Sequence, residues 1–157
     1  MSNSYSACMN NTVSDARLTD PVASHLGYLA RRASAAMMAN LGNALAPLGL
    51  RPVEATILLL IAANPGCSQS DAGRLLGIKR ANMVPLMAGL LARDLVRKSA
   101  GDGRTYALSL TPAGEEARAA ATQAMEELES RYQALLEPGQ WEALQEGLRR
   151  LLETLNS

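Results

Sequence analysis

Asp102-Gly103-Arg104-Thr105-Tyr106-Ala107-Leu108-Ser109-Leu110-Thr111-Pro112-Ala113-Gly114 is the stretch that decides the fold. An acidic-Gly-basic turn comes first. An alternating strand follows, with Tyr106, Leu108 and Leu110 on one face. Thr111-Pro112 then reads as a helix start, because Thr caps well and Pro tolerates the first helical position. A second strand is predicted just upstream, over residues 95–99. Two short strands around a charged turn make a β-hairpin with a protruding tip.

Working outward, residues 68–93 read as a pair of short helices. Ser68-Gln69-Ser70-Asp71 supplies capping residues for a helix running to about Leu76, Gly77 supplies the turn, and a second helix covers roughly residues 79–93. Ala72, Leu76, Ile78, Met83 and Leu86 fall where two crossing helices bury apolar side chains, and Gly73 is small where they approach. That is a helix-turn-helix pattern, and a hairpin beside it reads as a wing. Pro85 is out of place in a helix interior, where it removes a backbone bond at a cost of ~3 kcal/mol.

Before this unit, apolar residues from Leu26 to Leu45 recur at helical spacing, in a pattern that begins at Asp20-Pro21. Pro47-Leu48-Gly49 breaks it, and Pro52 opens a second helix that Asn64-Pro65-Gly66 ends. After the hairpin come two long helices separated by Pro138-Gly139. The last carries Trp141, Leu144, Leu148, Leu151 and Leu155 at alternating steps of three and four, a coiled-coil-like seam. Burying one such side chain is worth roughly 1.5–3 kcal/mol. A terminal helix with this stripe is expected to pack against a second copy of the chain, and packing on the chain's own helices is the alternative. The Ser- and Asn-rich residues 1–19 read as a mobile tail.

The chain has 157 residues, 48% of them hydrophobic, and equal numbers of basic and acidic side chains. The distribution matters more than the total. Arg74, Lys79, Arg80, Arg93, Arg97, Lys98 and Arg104 crowd the middle against Asp71, Asp94 and Asp102, while glutamates dominate after Pro112. A basic middle suits a local phosphate-binding face. The two cysteines, Cys8 and Cys67, give no disulfide framework and no metal-ligand spacing. No apolar run approaches the ~18 residues of a membrane span, and a secretory leader pattern is missing, so a cytoplasmic location is expected. A single His, no Cys–His pair, no phosphate-cradling Gly loop and no nucleophile motif argue against an enzyme. No metal and no cofactor are expected.

In their order and spacing these residues resemble the MarR family of winged helix-turn-helix regulators, over residues 20–155. The most specific part is Asp102-x-Arg104 followed by Leu108-x-Leu110-Thr111-x-x-Gly114. Gly49-Leu50, Asn64-Pro65-Gly66 and the segment from Gln69 to Gly89 are also family-like. The family wing commonly carries a second basic residue between Asp and Arg; Gly103 stands there. The resemblance implies a mainly α fold with a small β-hairpin wing (α+β). After the tail over 1–19, it implies an N-terminal dimerisation helix over 20–50, a DNA-binding lobe over 51–111 and C-terminal dimerisation helices over 112–157. It further implies a homodimer on double-stranded DNA, repressing until a small-molecule effector binds where the dimer helices meet that lobe.

Lys79, Arg80 and Asn82 begin the expected recognition helix, where side chains reach base edges: Arg or Lys bonds guanine and Asn bonds adenine. Ser68, Gln69 and Ser70 either contact phosphate or serve only as caps. Arg104 is expected in the minor groove, oriented by Asp102, with Arg97 and Lys98 on phosphates. His25, Tyr28, Arg31, Arg32 and Met37 are the candidate effector residues. Arg suits a carboxylate and His or Tyr a phenol, while a solvated or dimer-contact strip is the plainer reading. The expected function is a repressor released from a palindromic operator by an aromatic acid, a phenol or an acyl-CoA thioester. The alternatives are a thiol-based redox sensor acting through Cys8 and a helical dimerisation module.

Overall fold

The computed structural model describes residues 19–100 and 106–155. The tail with Cys8, and the wing tip with Asp102, Gly103 and Arg104, lie outside the described residues. The chain divides into two compact units, Met1–Ser34 and Ala35–Ser157.

In the first unit the described chain begins with a turn and not with the helix expected from Asp20. The Asp20 carboxylate accepts the Val22 N–H at 3.0 Å, and the N–H groups of Ala23 and His25 donate to the carbonyls of Asp20 and Val22. These local bonds satisfy the backbone without a helix. Helix α1 (Leu26–Leu45) starts only afterwards.

The second unit is built around α2 (Pro52–Ala63), which is apolar nearly all round and buries Ala55, Ile57, Leu58, Leu60 and Ile61. A helix of that kind belongs at the centre of a core. Packed about it are α3 (Gln69–Leu75), α4 (Arg80–Ala92) and the antiparallel strands β1 (Val96–Ala100) and β2 (Tyr106–Leu110). The remaining helices are α5 (Pro112–Gln133) and α6 (Gln140–Leu155). Leu45, Ala72, Met83, Met87, Leu90, Val96, Leu108 and Ala121 join the α2 residues in one cluster. The result is the mainly α winged helix-turn-helix class that the sequence implies, with a two-stranded hairpin among the described residues.

The joint between α4, the hairpin and α5 explains the Leu-Thr-x-x-Gly spacing. Thr111 caps α5: the Gly114 N–H donates to its hydroxyl at 3.0 Å. The same hydroxyl donates to the Asp94 carbonyl, and the Thr111 N–H donates to the Leu95 carbonyl at 3.2 Å. Helix α5 thus begins directly against the α4–β1 turn. A Cβ on Gly114 would stand 1.9 Å from the Leu95 oxygen, closer than any side chain permits.

Pro85 does not end α4, which runs unbroken from Arg80 to Ala92. Pro85 and Ala81 are both exposed. The carbonyl that loses its helical partner to the proline ring therefore belongs to an exposed residue.

Candidate nucleic-acid interface

Helix α3 is set by a capping box. The Ser68 hydroxyl accepts the Asp71 N–H at 3.1 Å and donates to the Asp71 carboxylate at 2.7 Å, and the Ser68 N–H donates to that carboxylate at 3.2 Å. The Ser68 bonds, with the charge of Arg74 at 3.1 Å, hold the Asp71 carboxyl below its ordinary value. The cap therefore engages the Ser68 hydroxyl as donor and as acceptor. Gln69 and Ser70 follow on the first turn. Gly77, at φ 64°, makes the turn toward α4. Gly73 admits the close approach, since a Cβ there would meet the Ile78 carbonyl at 3.1 Å.

Lys79 is the N-cap residue of α4, and Arg80 is the first residue of the helix. Lys79, Arg80 and Asn82 are all exposed. None of the three side chains makes a hydrogen bond or ion pair within the described residues. Arg80 lines a cleft of about 580 Å³ between α3, α4 and the hairpin, together with Gln69, Ser70, Arg74, Lys98 and Tyr106. Its floor is apolar, from Met83, Met87 and Leu108.

A pairing not visible in the sequence positions the hairpin. Leu108 donates its N–H to the Cys67 carbonyl and accepts the Gly66 N–H, each at 2.9 Å. The outer edge of β2 is thus paired with the two residues preceding the α3 cap, which sets the hairpin beside α3. The register Lys98↔Leu108 and Arg97↔Ser109 sends these two basic side chains to opposite faces. Lys98 reaches Gln69, Nζ to Oε1 at 3.4 Å. Arg97 instead donates to the Ser109 hydroxyl at 2.9 Å. Of the residues expected to touch DNA, the fold gathers Ser68, Gln69, Ser70, Arg80 and Lys98 around one cleft and turns Arg97 away from it. Arg74, which the sequence offers only as one of the basic residues of the middle, and Tyr106, which it offers only as a strand residue, join them; Arg74 falls one helical turn from Ser70, a spacing that places both on one face.

A second feature missed in the sequence is Glu54, buried at 5% exposure in α2. Its carboxylate accepts the Arg51 N–H at 2.9 Å and the Arg51 guanidinium at 3.0 Å, and faces Arg93 at 3.6 Å. Burial pushes the carboxyl up, but the Arg51 bonds and the charges of Arg51 and Arg93 outweigh it, so it lies below its ordinary value. Arg93 is the C-cap of α4, so this ion pair ties the end of α4 to α2. The free thiol of Cys67 is pushed up by burial and then by the Asp71 carboxylate, the setting of an unreactive cysteine.

Four of the candidate effector residues lie in the first unit. The Tyr28 hydroxyl donates to the Asp20 carboxylate at 2.8 Å, and Arg32 stands 3.9 Å from the same carboxylate. The guanidinium carbons of Arg31 and Arg32 lie 5.3 and 5.6 Å from the centre of the Tyr28 ring. Tyr28, Arg31 and Arg32 thus converge, and Asp20 is an added member. His25 precedes α1, where its carbonyl accepts the Leu29 N–H. Met37 is exposed and belongs to the second unit.

Comparison with known proteins agrees with this geometry. The model of the MarR family matches residues 48–105. The transcriptional repressor CouR bound to a 23-mer DNA duplex is 30% identical, with a TM-score of 0.77, over 89% of this chain and 99% of that one. CouR bound to p-coumaroyl-CoA matches at 30% identity and a TM-score of 0.75, over 81% and 91%. A probable transcriptional regulator from Pseudomonas aeruginosa matches at 29% identity and a TM-score of 0.74, over 82% and 97%. Among curated proteins none matches the chain. Among the described residues no single helix is long and apolar enough to cross a membrane.

Proposed function

Because the chain belongs to the MarR family of winged-helix transcriptional regulators, we propose that it is a cytoplasmic homodimeric repressor, released from a palindromic operator by a small aromatic effector. The observation that carries the DNA-binding part is the cleft where Arg80, Lys98 and Gln69 converge beside the exposed start of α4. Arg80 and Asn82 are assigned to base edges, and Lys79, Ser70, Gln69 and Lys98 to phosphates. Arg104 is assigned to the minor groove from the wing tip. Ser68 acts as the cap that holds Gln69 and Ser70 in place.

The exposed stripe Leu144, Leu148, Leu151, Leu152 and Leu155 supports the dimer, since α6 buries none of its residues within one chain. A two-fold pair of recognition helices reads a site with matching symmetry. Tyr28, Arg31 and Arg32 support an anionic aromatic effector: two guanidinium groups flank a phenol ring whose hydroxyl already bonds a carboxylate. His25, in the same unit, is assigned to that site as well. That the relative CouR has been captured with p-coumaroyl-CoA favours an aromatic acid or its acyl-CoA thioester over an unrelated effector.

The test is a mobility-shift titration of the full chain on the DNA flanking its own gene, with and without p-coumarate or p-coumaroyl-CoA. A shifted complex that the effector dissolves is expected. A complex untouched by either compound would remove the aromatic effector, and no complex at low salt would remove the DNA-binding reading itself.

A further inference from the structure

Tyr106 is the first residue of β2, paired with Ala100, and it is 63% exposed. The hairpin register puts Tyr106 on the same face as Lys98 and Leu108, since residues two apart along β2 share a face and Leu108 is opposite Lys98. The Lys98 ammonium lies 6.0 Å from the centre of the Tyr106 ring and 3.4 Å from the Gln69 amide oxygen. The ring and the amide therefore hold one ammonium between the wing and α3. Arg74 and Arg80 line the same cleft. The phenol hydroxyl has no hydrogen-bond partner among the described residues.

We infer that Tyr106 itself touches the DNA backbone, its hydroxyl donating to a phosphate that Lys98 neutralises, with Gln69 and the Tyr106 ring fixing where the ammonium stands. This rests on the proposed DNA-binding reading and extends it to a residue outside the expected set. The chemistry is suited to a phosphate: a phenol and an ammonium line the same cleft, and among the described residues no carboxylate lines it. Such an interaction carries no base information, so it belongs to positioning and not to sequence choice.

The experiment uses the full chain, the flanking DNA duplex and an unrelated duplex of equal length, with binding followed by fluorescence anisotropy across a salt series. Tyr106→Phe keeps the ring and removes only the hydroxyl. It is expected to weaken binding roughly 10- to 100-fold on both duplexes, as removal of one hydrogen bond to a charged phosphate would, with the salt slope unchanged. Lys98→Ala is expected to weaken binding and to flatten the salt slope by about 0.9 for each phosphate it no longer neutralises. Thermal unfolding of Tyr106→Phe should match wild type, which separates weaker binding from a weaker fold. Wild-type affinity in Tyr106→Phe overturns the inference while leaving the DNA-binding reading intact. A weakening confined to one duplex would overturn the assignment to the backbone. Failure of the wild-type chain to bind either duplex at low salt would overturn both.

Discussion

Glu54 holds a carboxylate in an apolar helix because the Arg51 N–H, the Arg51 guanidinium and Arg93 surround it. A buried charge without such partners would be strongly unfavourable. Its folded value is depressed, so its contribution to stability is fully present above the unfolded carboxylate value of about 4.3 and is lost as pH falls through the folded one. Glu54→Gln is therefore expected to cost about 1–3 kcal/mol at pH 7, where the charge-assisted bonds are lost. The difference should shrink as pH is lowered through about 4. Denaturant melts of both proteins at neutral pH and in acid check this; a gap that widens in acid would contradict it. This residue was not legible in the sequence, because Glu54 and Arg93 are far apart along the chain and nothing in a helix pattern marks which glutamate will be covered. Lys79, Arg80 and Asn82 were legible, because a helix start after a Gly turn dictates which side chains stand exposed there.

At the scale of elements, the hairpin and the two helices before it were readable from alternation, capping residues and glycines. Gly77, Ser68 and Thr111 all do what their chemistry implies. What the pattern did not contain is the pairing of Gly66 and Cys67 with Leu108. Two residues are too few to show a strand period, yet they place the wing beside α3. The start of α1 was also misplaced, since the Asp20 side chain satisfies the backbone as a turn where helical spacing alone suggested continuity. The α5 start is the element that joins α4, the hairpin and the long C-terminal helices. Gly114→Ala forces a Cβ into the Leu95 carbonyl, at 1.9 Å, so the first turn of α5 must move away from the α4–β1 turn. Its expected cost is about 3 kcal/mol, at the upper end for overpacking. A midpoint shift in urea with an unchanged slope is the predicted signature; an unaltered midpoint would mean the joint is looser than its geometry implies.

At the scale of the whole molecule, α6 is amphipathic with no buried residue in the single chain. Leu155 is 79% exposed and Leu152 60%. A stripe of this kind calls for a partner surface. Leu148→Asp with Leu151→Asp is expected to convert a dimer into a monomer by light scattering, and to weaken operator binding more than non-specific binding, because two linked half-sites become one. A wild-type monomer at micromolar concentration would contradict the proposed assembly. The central claim is that DNA is read by the start of α4, and one measurement reaches it most directly: the affinity of wild type and Arg80→Ala for the DNA flanking the gene, by anisotropy at fixed salt, beside an unrelated duplex. Arg80→Ala is predicted to bind the flanking DNA about 10-fold or more weakly, the value of one base-edge interaction, and to change much less on the unrelated duplex. Equal affinity of the two proteins for the flanking DNA would contradict it.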